Sequence, residues 1–489
     1  MTETMNKLLA FAAIALVLAS CSGPVQRQLP QESVIFPDYR DITVPPNIAP
    51  LNFQVNSKRA KASFENGSER ITLKARNGLF RIPVRKWKEL AKPGSEITVT
   101  VYLGNGSKAT AMEPFTWTIA TEEIDPFIAY RLIEPGYEAW NEMGIYQREL
   151  GTYRQSAIIT NRQTGKNCMN CHSFQDRNHD RMLFHMRAVN GGTYVIQDSS
   201  IEKLNTKTDS TISALVYPSW HPGGQFVAFS VNDIRQAFHS NDRNRIEVFD
   251  TNSDVVVYDV SSHEVFSSPA LKSEDSFETF PTFTPDGKTL IFCTAKRRNI
   301  PKEYDKVMYN LCSVSFDPGT KSFGDHVDTL FNAEAIGRSA SFPRVSPDGK
   351  HLLFTLSGYG NFSIWHKDAD LQMLDLETRE AWPLTEANSS DVDSYHSWSS
   401  NGRWIIFSSR RIDGLYTRPF IAYVTPDGEA RKAFLLPQKN PASFYKDLMK
   451  SYNIPEFIDG EVSFPQRKIV KTALEDPGIQ VTYSQGSTE

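Results

Sequence analysis

Tyr217-Pro218-Ser219-Trp220-His221-Pro222-Gly223-Gly224 is an octapeptide that returns twice, as Phe280-Pro281-Thr282-Phe283-Thr284-Pro285-Asp286-Gly287 and as Phe342-Pro343-Arg344-Val345-Ser346-Pro347-Asp348-Gly349. A looser fourth copy is Tyr395-His396-Ser397-Trp398-Ser399-Ser400-Asn401-Gly402. An apolar segment follows each copy, with a Phe twelve residues after the opening aromatic residue: Phe229, Phe292, Phe354 and Phe407. The chain therefore carries an internal repeat with a period of roughly 50–65 residues.

Each part of the repeat has a structural reason. The closing Asp-Gly or Asn-Gly pair favours a tight turn between two strands, and proline stiffens the segment before that turn. The apolar run after the turn is rich in β-branched and aromatic residues, which pack well between sheets. The period slightly exceeds the length of one four-stranded blade, so it leaves room for longer loops. These features predict a mostly β protein whose main domain is a β-propeller.

The octapeptide resembles the repeat of TolB-type β-propellers over residues 215–430. Propellers of this type usually have six blades, so the resemblance implies a ring of six four-stranded sheets around a central channel. It also implies a surface on which other proteins dock.

Upstream of these copies lies Cys168-Met169-Asn170-Cys171-His172, which matches the attachment motif of c-type haem. In that motif two thiols add across the haem vinyl groups, and the imidazole of the following residue binds the iron. We therefore predict one covalent haem c, attached through Cys168 and Cys171, with His172 as the proximal iron ligand.

Three alternatives to a haem site remain open. A zinc site needs two further Cys or His ligands at similar spacing, and the sequence has no second Cys pair. A thioredoxin-like redox pair needs a βαβ context, which the pattern around Cys168 does not provide. The third alternative is a chance occurrence of two cysteines and a histidine at this spacing.

The motif also fits the spacing of the repeat. His172 lies twelve residues before Phe184, as each opening aromatic residue lies before its Phe. In this register His172 replaces the opening aromatic residue, and Asp176–Asp180 forms the turn. We therefore predict that residues 168–214 form a first blade, with the haem near one mouth of the channel. Five blades are then visible, and either the segment before Cys168 or the segment after residue 436 completes the ring.

The second axial ligand of the iron has several candidates. Met182 and Met186 are close in sequence, but on a strand they share a face with Phe184, and packing between blades is the simpler role for them. His179, in a polar turn, and His396, directly after an opening aromatic residue, are the imidazole candidates. A five-coordinate iron is the remaining alternative.

The N-terminus carries an export signal. Lys7 precedes the apolar run Leu8–Val17, which is too short to span a bilayer as a helix. The next residues, Leu18-Ala19-Ser20-Cys21, resemble the lipobox of bacterial lipoproteins. The resemblance implies cleavage before Cys21 and acylation of that residue, with more than one acyl chain giving stable membrane binding. An ordinary cleaved signal peptide is the alternative. The predicted location is the bacterial cell envelope, at the outer membrane.

The remaining pattern divides the chain further. Residues 1–20 are the predicted signal peptide and 21–35 a polar tether. Residues 36–124 contain short alternating runs separated by turn residues, which predicts a β-sandwich domain. Residues 125–167 are expected to be a partly helical connector. The propeller then covers 168–435, and residues 436–489 form a C-terminal segment.

Composition excludes some functions. The formal net charge is -4 and the pI is near 6.2, which argues against nucleic acid as a partner. No nucleophile elbow, HExxH or Walker loop is present, so no catalytic residue is predicted. Cys293 and Cys312 lie in two neighbouring β-like runs and are either a disulfide or two small buried hydrophobic residues.

Together these features predict a lipid-anchored c-type cytochrome of the cell envelope. It transfers electrons through one haem, and the propeller serves as a docking platform for envelope redox or scaffold proteins. The alternatives are a haem-based sensor or ligand-binding protein, a TolB-like interaction scaffold without haem, and a redox enzyme.

Overall fold

Strands are the main regular secondary structure of the computed structural model, which describes residues 28–29, 35–67, 69–105, 109–134 and 141–484. The chain forms two compact units, one built mainly from Pro50–Thr121 and one built mainly from Glu122–Leu436. Cys21 and the predicted signal peptide lie outside the described residues.

The first unit is a β-sandwich. Its strands are β1 (Gln28–Leu29), β2 (Ile35–Phe36), β3 (Ile42–Val44), β4 (Phe53–Val55), β5 (Ala60–Asn66), β6 (Glu69–Lys74), β7 (Leu79–Phe80), β8 (Glu96–Leu103), β9 (Thr110–Met112) and β10 (Phe115–Ile119), and helix α1 covers Val84–Leu90. One sheet has the order β1-β9-β8-β10-β3, with β5 joining β8 to β6, and the other has the order β2-β4-β7. Phe53 of the smaller sheet contacts Phe64 and Trp117 of the larger one. The prediction of a small β-sandwich domain before the propeller is confirmed, and β1 belongs to the segment predicted as a tether.

The second unit contains the remaining strands. The first ten are β11 (Phe127–Ile133), β12 (Gly144–Glu149), β13 (Gln155–Thr160), β14 (Cys168–Phe174), β15 (Arg181–Arg187), β16 (Gly192–Gln197), β17 (Ser200–Asn205), β18 (Val216–Trp220), β19 (Phe226–Phe238) and β20 (Ile246–Asp259). The next nine are β21 (Glu264–Phe266), β22 (Ser276–Phe283), β23 (Thr289–Lys296), β24 (Asn310–Asp317), β25 (Ser322–Phe331), β26 (Ser339–Val345), β27 (His351–Ser357), β28 (Asp370–Asp375) and β29 (Ala381–Pro383). The last are β30 (Asp393–Trp398), β31 (Trp404–Ser409), β32 (Arg418–Tyr423), β33 (Phe434–Leu435), β34 (Ser451–Ile458), β35 (Ile479–Gln480) and β36 (Thr482–Tyr483). Helix α2 (Pro441–Asp447) belongs almost entirely to the first unit, and helix α3 (Gln466–Glu475) belongs to the second.

These strands form six sheets, which are the blades of a propeller. Blades 1 to 5 begin with β14, β18, β22, β26 and β30, and each contains four consecutive strands. Blade 6 has the order β34-β11-β12-β13. The innermost strands contact one another in turn from β14 to β34, and β34 contacts β14. This closed cycle of contacts defines a six-bladed β-propeller.

Blade 6 corrects the prediction for residues 125–167. These residues are not a partly helical connector, because β11, β12 and β13 are the outer strands of a blade. The inner strand comes from the C-terminal segment, and Phe127 pairs with Ile458. The segment before Cys168 and the segment after residue 436 are the two predicted alternatives for completing the ring, and both contribute strands to blade 6. The chain then ends with β35 and β36, which pair in parallel with β17 and β21.

Each inner strand carries a β-bulge at the same place. In blade 2 the pairing passes from Val216 with Ser230 to Ser219 with Ala228, so two residues face one on the next strand. The first residue of every bulge has a left-handed backbone: Cys171 (φ 50°), Tyr217 (φ 50°), Phe280 (φ 48°), Phe342 (φ 56°), Tyr395 (φ 50°) and Ile454 (φ 48°). This conformation is uncommon for residues with large side chains. Its recurrence in all six blades marks it as a feature of the fold.

The bulges correct the register predicted for blade 1. Cys171, and not His172, occupies the place of the opening aromatic residue. The spacing to Phe184 is misleading because the turn of blade 1 is one residue longer than that of blade 2: Ser173 pairs with Leu183, whereas Ser219 pairs with Ala228. His172 corresponds to the next position, which is Pro218 in blade 2.

Among the described residues, no helix is long and apolar enough to cross a membrane.

Candidate functional site

The three residues of the predicted haem motif lie on β14, the inner strand of blade 1, and all are buried. Cys168 is 7% exposed, and Cys171 and His172 are each 2% exposed. Both cysteines are free thiols. The motif is therefore part of the propeller core and not of a surface loop.

Cys171 is one of six residues at equivalent bulge positions around the propeller axis. Tyr217 contacts Phe280, Phe280 contacts Phe342, and Phe342 contacts Tyr395, with ring centroids 4.7, 5.6 and 4.9 Å apart. In blade 1 the position holds a thiol instead of a large apolar side chain. The sequence repeat would place Cys171 beside the aromatic residues of the other blades. The predicted alignment misses this because it puts His172, one residue later, at that position.

The surroundings of Cys171 are apolar but include two cations. Burial raises the pKa of its thiol, and Arg187 and Arg131 lie close enough to oppose that rise. A thiol with a raised pKa is a poor nucleophile, since the thiolate is the reactive form. An exposed, reactive redox dithiol is therefore a poor description of this pair.

His172 faces the blade that precedes it. The backbone of Ala129 and Ile454, both in blade 6, lies beside the imidazole, but neither ring nitrogen makes a hydrogen bond of acceptable geometry. Burial and the nearby Arg131 lower the pKa of His172 to about 3. The imidazole is thus neutral at pH 7, which is the form that binds metal ions, and both nitrogens are buried without a partner.

Arg131 connects the motif to blade 6. Its Nη1 donates hydrogen bonds to the side-chain oxygen of Asn170 and to the carbonyl of Met169, the latter at 3.3 Å. Its Nη2 donates to Oδ1 of Asn453 at 2.8 Å. Both acceptors on β14 lie between the two cysteines. No local pattern in the sequence points to Arg131, because its strand β11 belongs to blade 6 and is separated from the motif by β12 and β13.

The methionine candidates for the second iron ligand lie in the core between blades 1 and 6. Met182 and Met186 are completely buried there, on the face of β15 that also carries Phe184, in agreement with the packing role. Met169 and Met143 belong to the same cluster, and Sδ of Met143 accepts a hydrogen bond from the backbone N–H of Met169 at 3.2 Å. The sequence does not point to Met143, because its segment has the pattern of a connector.

The histidine candidates have other partners. His179 lies in the turn after β14, where its Nδ1 is 2.7 Å from a carboxylate oxygen of Asp459. His396 is completely buried between blades 4 and 5, and its Nε2 is 3.0 Å from the carbonyl oxygen of Leu353. The structure therefore does not bring either histidine together with His172.

The donor set fits a c-type haem in its chemistry. Two unpaired thiols three residues apart precede a neutral imidazole whose nitrogens have no partner. The packing separates these groups, because Cys171 neighbours Tyr217 of blade 2 whereas His172 neighbours blade 6. The two groups thus face different blades in the folded chain.

The other two cysteines lie in blade 3. Cys293 pairs with Leu311, and Cys312 pairs with Phe292, so the two cysteines are offset by one position on adjacent strands. Both are buried free thiols. They behave as small apolar core residues and do not form the alternative disulfide. Among the residues that the structure describes, no group of three or more His, Cys, Asp or Glu is arranged to hold a metal ion.

No protein-family model and no curated protein sequence matches the chain. Among solved structures, it is similar to the β-propeller domain of the Trilobed protease from Pyrococcus furiosus, with 11% identity over 82% of this chain and 97% of that one and a TM-score of 0.33. It is also similar to prolyl oligopeptidase B from Galerina marginata (10% identity, 70% of this chain, TM-score 0.37) and to a puromycin-hydrolyzing peptidase from Mycobacterium tuberculosis (12% identity, 82% of this chain, TM-score 0.34). The alignments cover 42% and 57% of these two proteins.

Proposed function

We propose that the protein is a c-type cytochrome of the bacterial cell envelope, anchored by lipid on Cys21, that transfers electrons through one haem attached to Cys168 and Cys171. His172 is the proximal ligand, and the propeller is the platform on which envelope redox or scaffold proteins dock. When bound, the haem supplies one-electron redox chemistry at its iron.

One observation carries the proposal. His172 keeps a neutral imidazole in the core directly after a free thiol, and neither ring nitrogen makes a hydrogen bond of acceptable geometry to the adjacent backbone of Ala129 and Ile454. A buried polar group without a partner costs about 1–3 kcal/mol, so such groups usually have a function or a missing partner. Iron is a partner that a neutral imidazole accepts.

The packing determines when the haem is attached. Because all three groups are at most 7% exposed and face two different blades, a folded propeller does not admit the cofactor. Attachment therefore precedes the docking of β14 between blades 2 and 6. Arg187, one of the two cations beside Cys171, is then available to bind an anionic group of the cofactor.

The test is covalent attachment. We expect that the protein, produced with a c-type maturation system, keeps haem staining on a denaturing gel. The double variant Cys168→Ser/Cys171→Ser should lose the stain because no thioether forms. The matched control is Cys293→Ser/Cys312→Ser, which changes two other buried propeller cysteines and should keep the stain.

A wild-type protein that carries no haem, or that releases its pigment to acid acetone, would contradict the proposal and favour a TolB-like scaffold. The absorbance spectrum separates the remaining alternatives. Low-spin bands support electron transfer, whereas high-spin bands indicate an open iron position and support a sensor or a redox enzyme instead.

A further inference from the structure

A cavity of about 490 Å³ lies in the propeller unit, at the side where the inner strands begin. Apolar side chains form much of its wall, including Phe238 and Leu415, which are 62% and 44% exposed, and Trp365. Phe238 ends the long strand β19 of blade 2, and Leu415 lies in the loop after β31 of blade 5. The cavity is thus built by loops of several blades and has the size of a small-molecule site.

The charges that line this cavity are mostly positive. Arg243 and Arg245, in the loop between β19 and β20, line it together with Lys367 and Arg410, whereas Glu134 is the acidic residue among the lining side chains. Lys367 is 3.9 Å from a carboxylate of Asp391, outside the lining. An apolar wall with an excess of cations favours a ligand that is itself apolar but carries negative charge.

Arg410 distinguishes this cavity from an ordinary basic surface. Its Nε is buried and has no hydrogen-bond partner, and its guanidinium lies 4.7 Å from the centre of the Trp365 ring. Burial lowers its pKa to about 10, so it remains charged at pH 7. Asp391 and Asp413 lie close enough to stabilise its charge, so the feature that a ligand would satisfy is the buried Nε donor, which is costly to leave without an acceptor.

The cavity is also connected to the motif strand. Asn453 lines the cavity and accepts a hydrogen bond from Arg131, which in turn donates to Asn170 between the two cysteines. Tyr395, at the bulge of blade 5, lies close to both Arg410 and Cys171.

We propose that this cavity binds an apolar molecule that carries a carboxylate or a similar anionic group, and that Arg410 recognises the charge. Two kinds of molecule carry such an anionic group on an apolar body. One is the propionate-bearing edge of a haem on Cys168 and Cys171, and this source rests on the proposed function. The other is a free amphipathic acid, which requires no haem.

The test uses two probes of similar shape on the full chain produced without haem maturation. 8-Anilinonaphthalene-1-sulfonate is anionic, and N-phenyl-1-naphthylamine is its uncharged analogue. We expect saturable binding of the anionic probe by fluorescence, weakened about tenfold to a hundredfold by Arg410→Gln, as for loss of a charge-assisted hydrogen bond. The uncharged probe should bind both proteins equally. Arg85→Gln, whose side chain is 90% exposed on helix α1, is the control and should change neither affinity.

A second variant covers the case in which Arg410→Gln does not fold. Leu415→Glu adds a negative charge at an exposed position of the cavity wall and removes an apolar contact, so it should weaken the anionic probe more than the uncharged one. Melting curves confirm that each variant is folded. Equal binding of both probes, insensitive to these variants, would show an unselective apolar cavity and overturn the proposal, as would the absence of saturable binding.

The source of the ligand is decided by equilibrium dialysis of the anionic probe against haem-loaded protein. Loss of binding on haem attachment identifies the haem as the occupant, and retained binding identifies a free ligand; both outcomes support the site. If no haem attaches, the proposed function fails while the probe experiment on the haem-free chain still stands.

Discussion

Blades 1 and 5 carry a histidine at the same place, in surroundings that are alike in backbone and burial but differ in side chains and hydrogen bonding. Cys171 and Tyr395 are both bulge residues with φ 50°, and each is followed by histidine. The other four blades have proline there: Pro218, Pro281, Pro343 and Pro455. Both histidines are buried against the preceding blade, and burial lowers the pKa of each to about 3.

The difference lies in the partners. Nε2 of His396 is 3.0 Å from the carbonyl oxygen of Leu353, whereas the equivalent backbone of Ala129 and Ile454 lies beside His172 without a hydrogen bond of acceptable geometry. A large aromatic ring precedes His396, and a thiol precedes His172. Histidine at this position is therefore compatible with blade packing alone, as blade 5 shows. What sets blade 1 apart is the pair of thiols together with an imidazole that makes no hydrogen bond of acceptable geometry.

The largest effect should come from the bulge residues themselves. Tyr395→Ala removes a ring packed against Phe342 and should reduce the free energy of unfolding by about 3–5 kcal/mol, as for other buried aromatic residues. Cys171→Ala removes one sulfur and should cost about 1 kcal/mol, on the scale of a buried methylene group. Denaturant melts of both variants, made without haem maturation, provide the measurement. Equal losses would mean that the thiol is as important to the ring as the aromatic residues are.

A pH-dependent effect should come from His396. In the unfolded chain its pKa is near 6.5, and in the folded chain it is about 3. Below pH 6.5 the unfolded state binds a proton that the folded state rejects, so this group destabilises the fold increasingly as the pH falls towards 3. His396→Pro removes that penalty. Relative to wild type, the variant should gain about 1.4 kcal/mol per pH unit, or roughly 2–3 kcal/mol between pH 7 and pH 4.5.

The measurement is the difference in unfolding free energy between variant and wild type at several pH values, in which the other titrating groups cancel. His396→Ala is the matched control. It should be less stable than His396→Pro at every pH but show the same slope, because both variants remove the imidazole. A difference that does not change with pH would show that His396 is protonated to the same extent in both states.

The smallest effect on stability should come from His172→Pro. Proline occupies this position in four blades, and His172 has no side-chain hydrogen bond of acceptable geometry to lose, so at pH 7 the variant made without haem should stay within about 1 kcal/mol of wild type. Since the pKa of His172 is also about 3, this variant should gain stability at lower pH as His396→Pro does. In matured protein the same variant should keep haem staining but lose the low-spin spectrum, because the thioethers remain and the proximal ligand does not. An unchanged spectrum would assign the iron ligand to another residue.

The sequence predicts blades 2 to 5 well because each contains its own octapeptide, turn and apolar strand in succession. Blade 6 escapes such a prediction for a topological reason, since its inner strand and its outer strands come from opposite ends of the chain. A signal is nevertheless present. Ile454-Pro455-Glu456-Phe457, followed by Asp459-Gly460, repeats the order of the octapeptide with isoleucine as its first residue. No apolar strand follows it, so this copy is hard to recognise in the sequence.

At the site, local spacing identifies the thiols and the imidazole but not their neighbours. The predicted alignment of blade 1 is wrong by one residue. Its turn is one residue longer than that of blade 2, so His172, and not Cys171, lies twelve residues before Phe184. Arg131 and Met143 come from blade 6, and Arg410 from blade 5, so their proximity follows from ring closure and not from any motif. Such long-range neighbours are set by topology, which a single sequence encodes only through its repeats.

The inner strand of blade 6, β34, comes much later in the chain than the motif strand β14 that it contacts. A chain that grows from its N-terminus contains His172 about 280 residues before it contains β34. At roughly 5–20 residues per second, the motif strand is present for roughly 15–60 s before the blade 6 side of the imidazole is covered. The C-terminal position of β34 thus leaves the blade 6 side of His172 uncovered until nearly the whole chain is available.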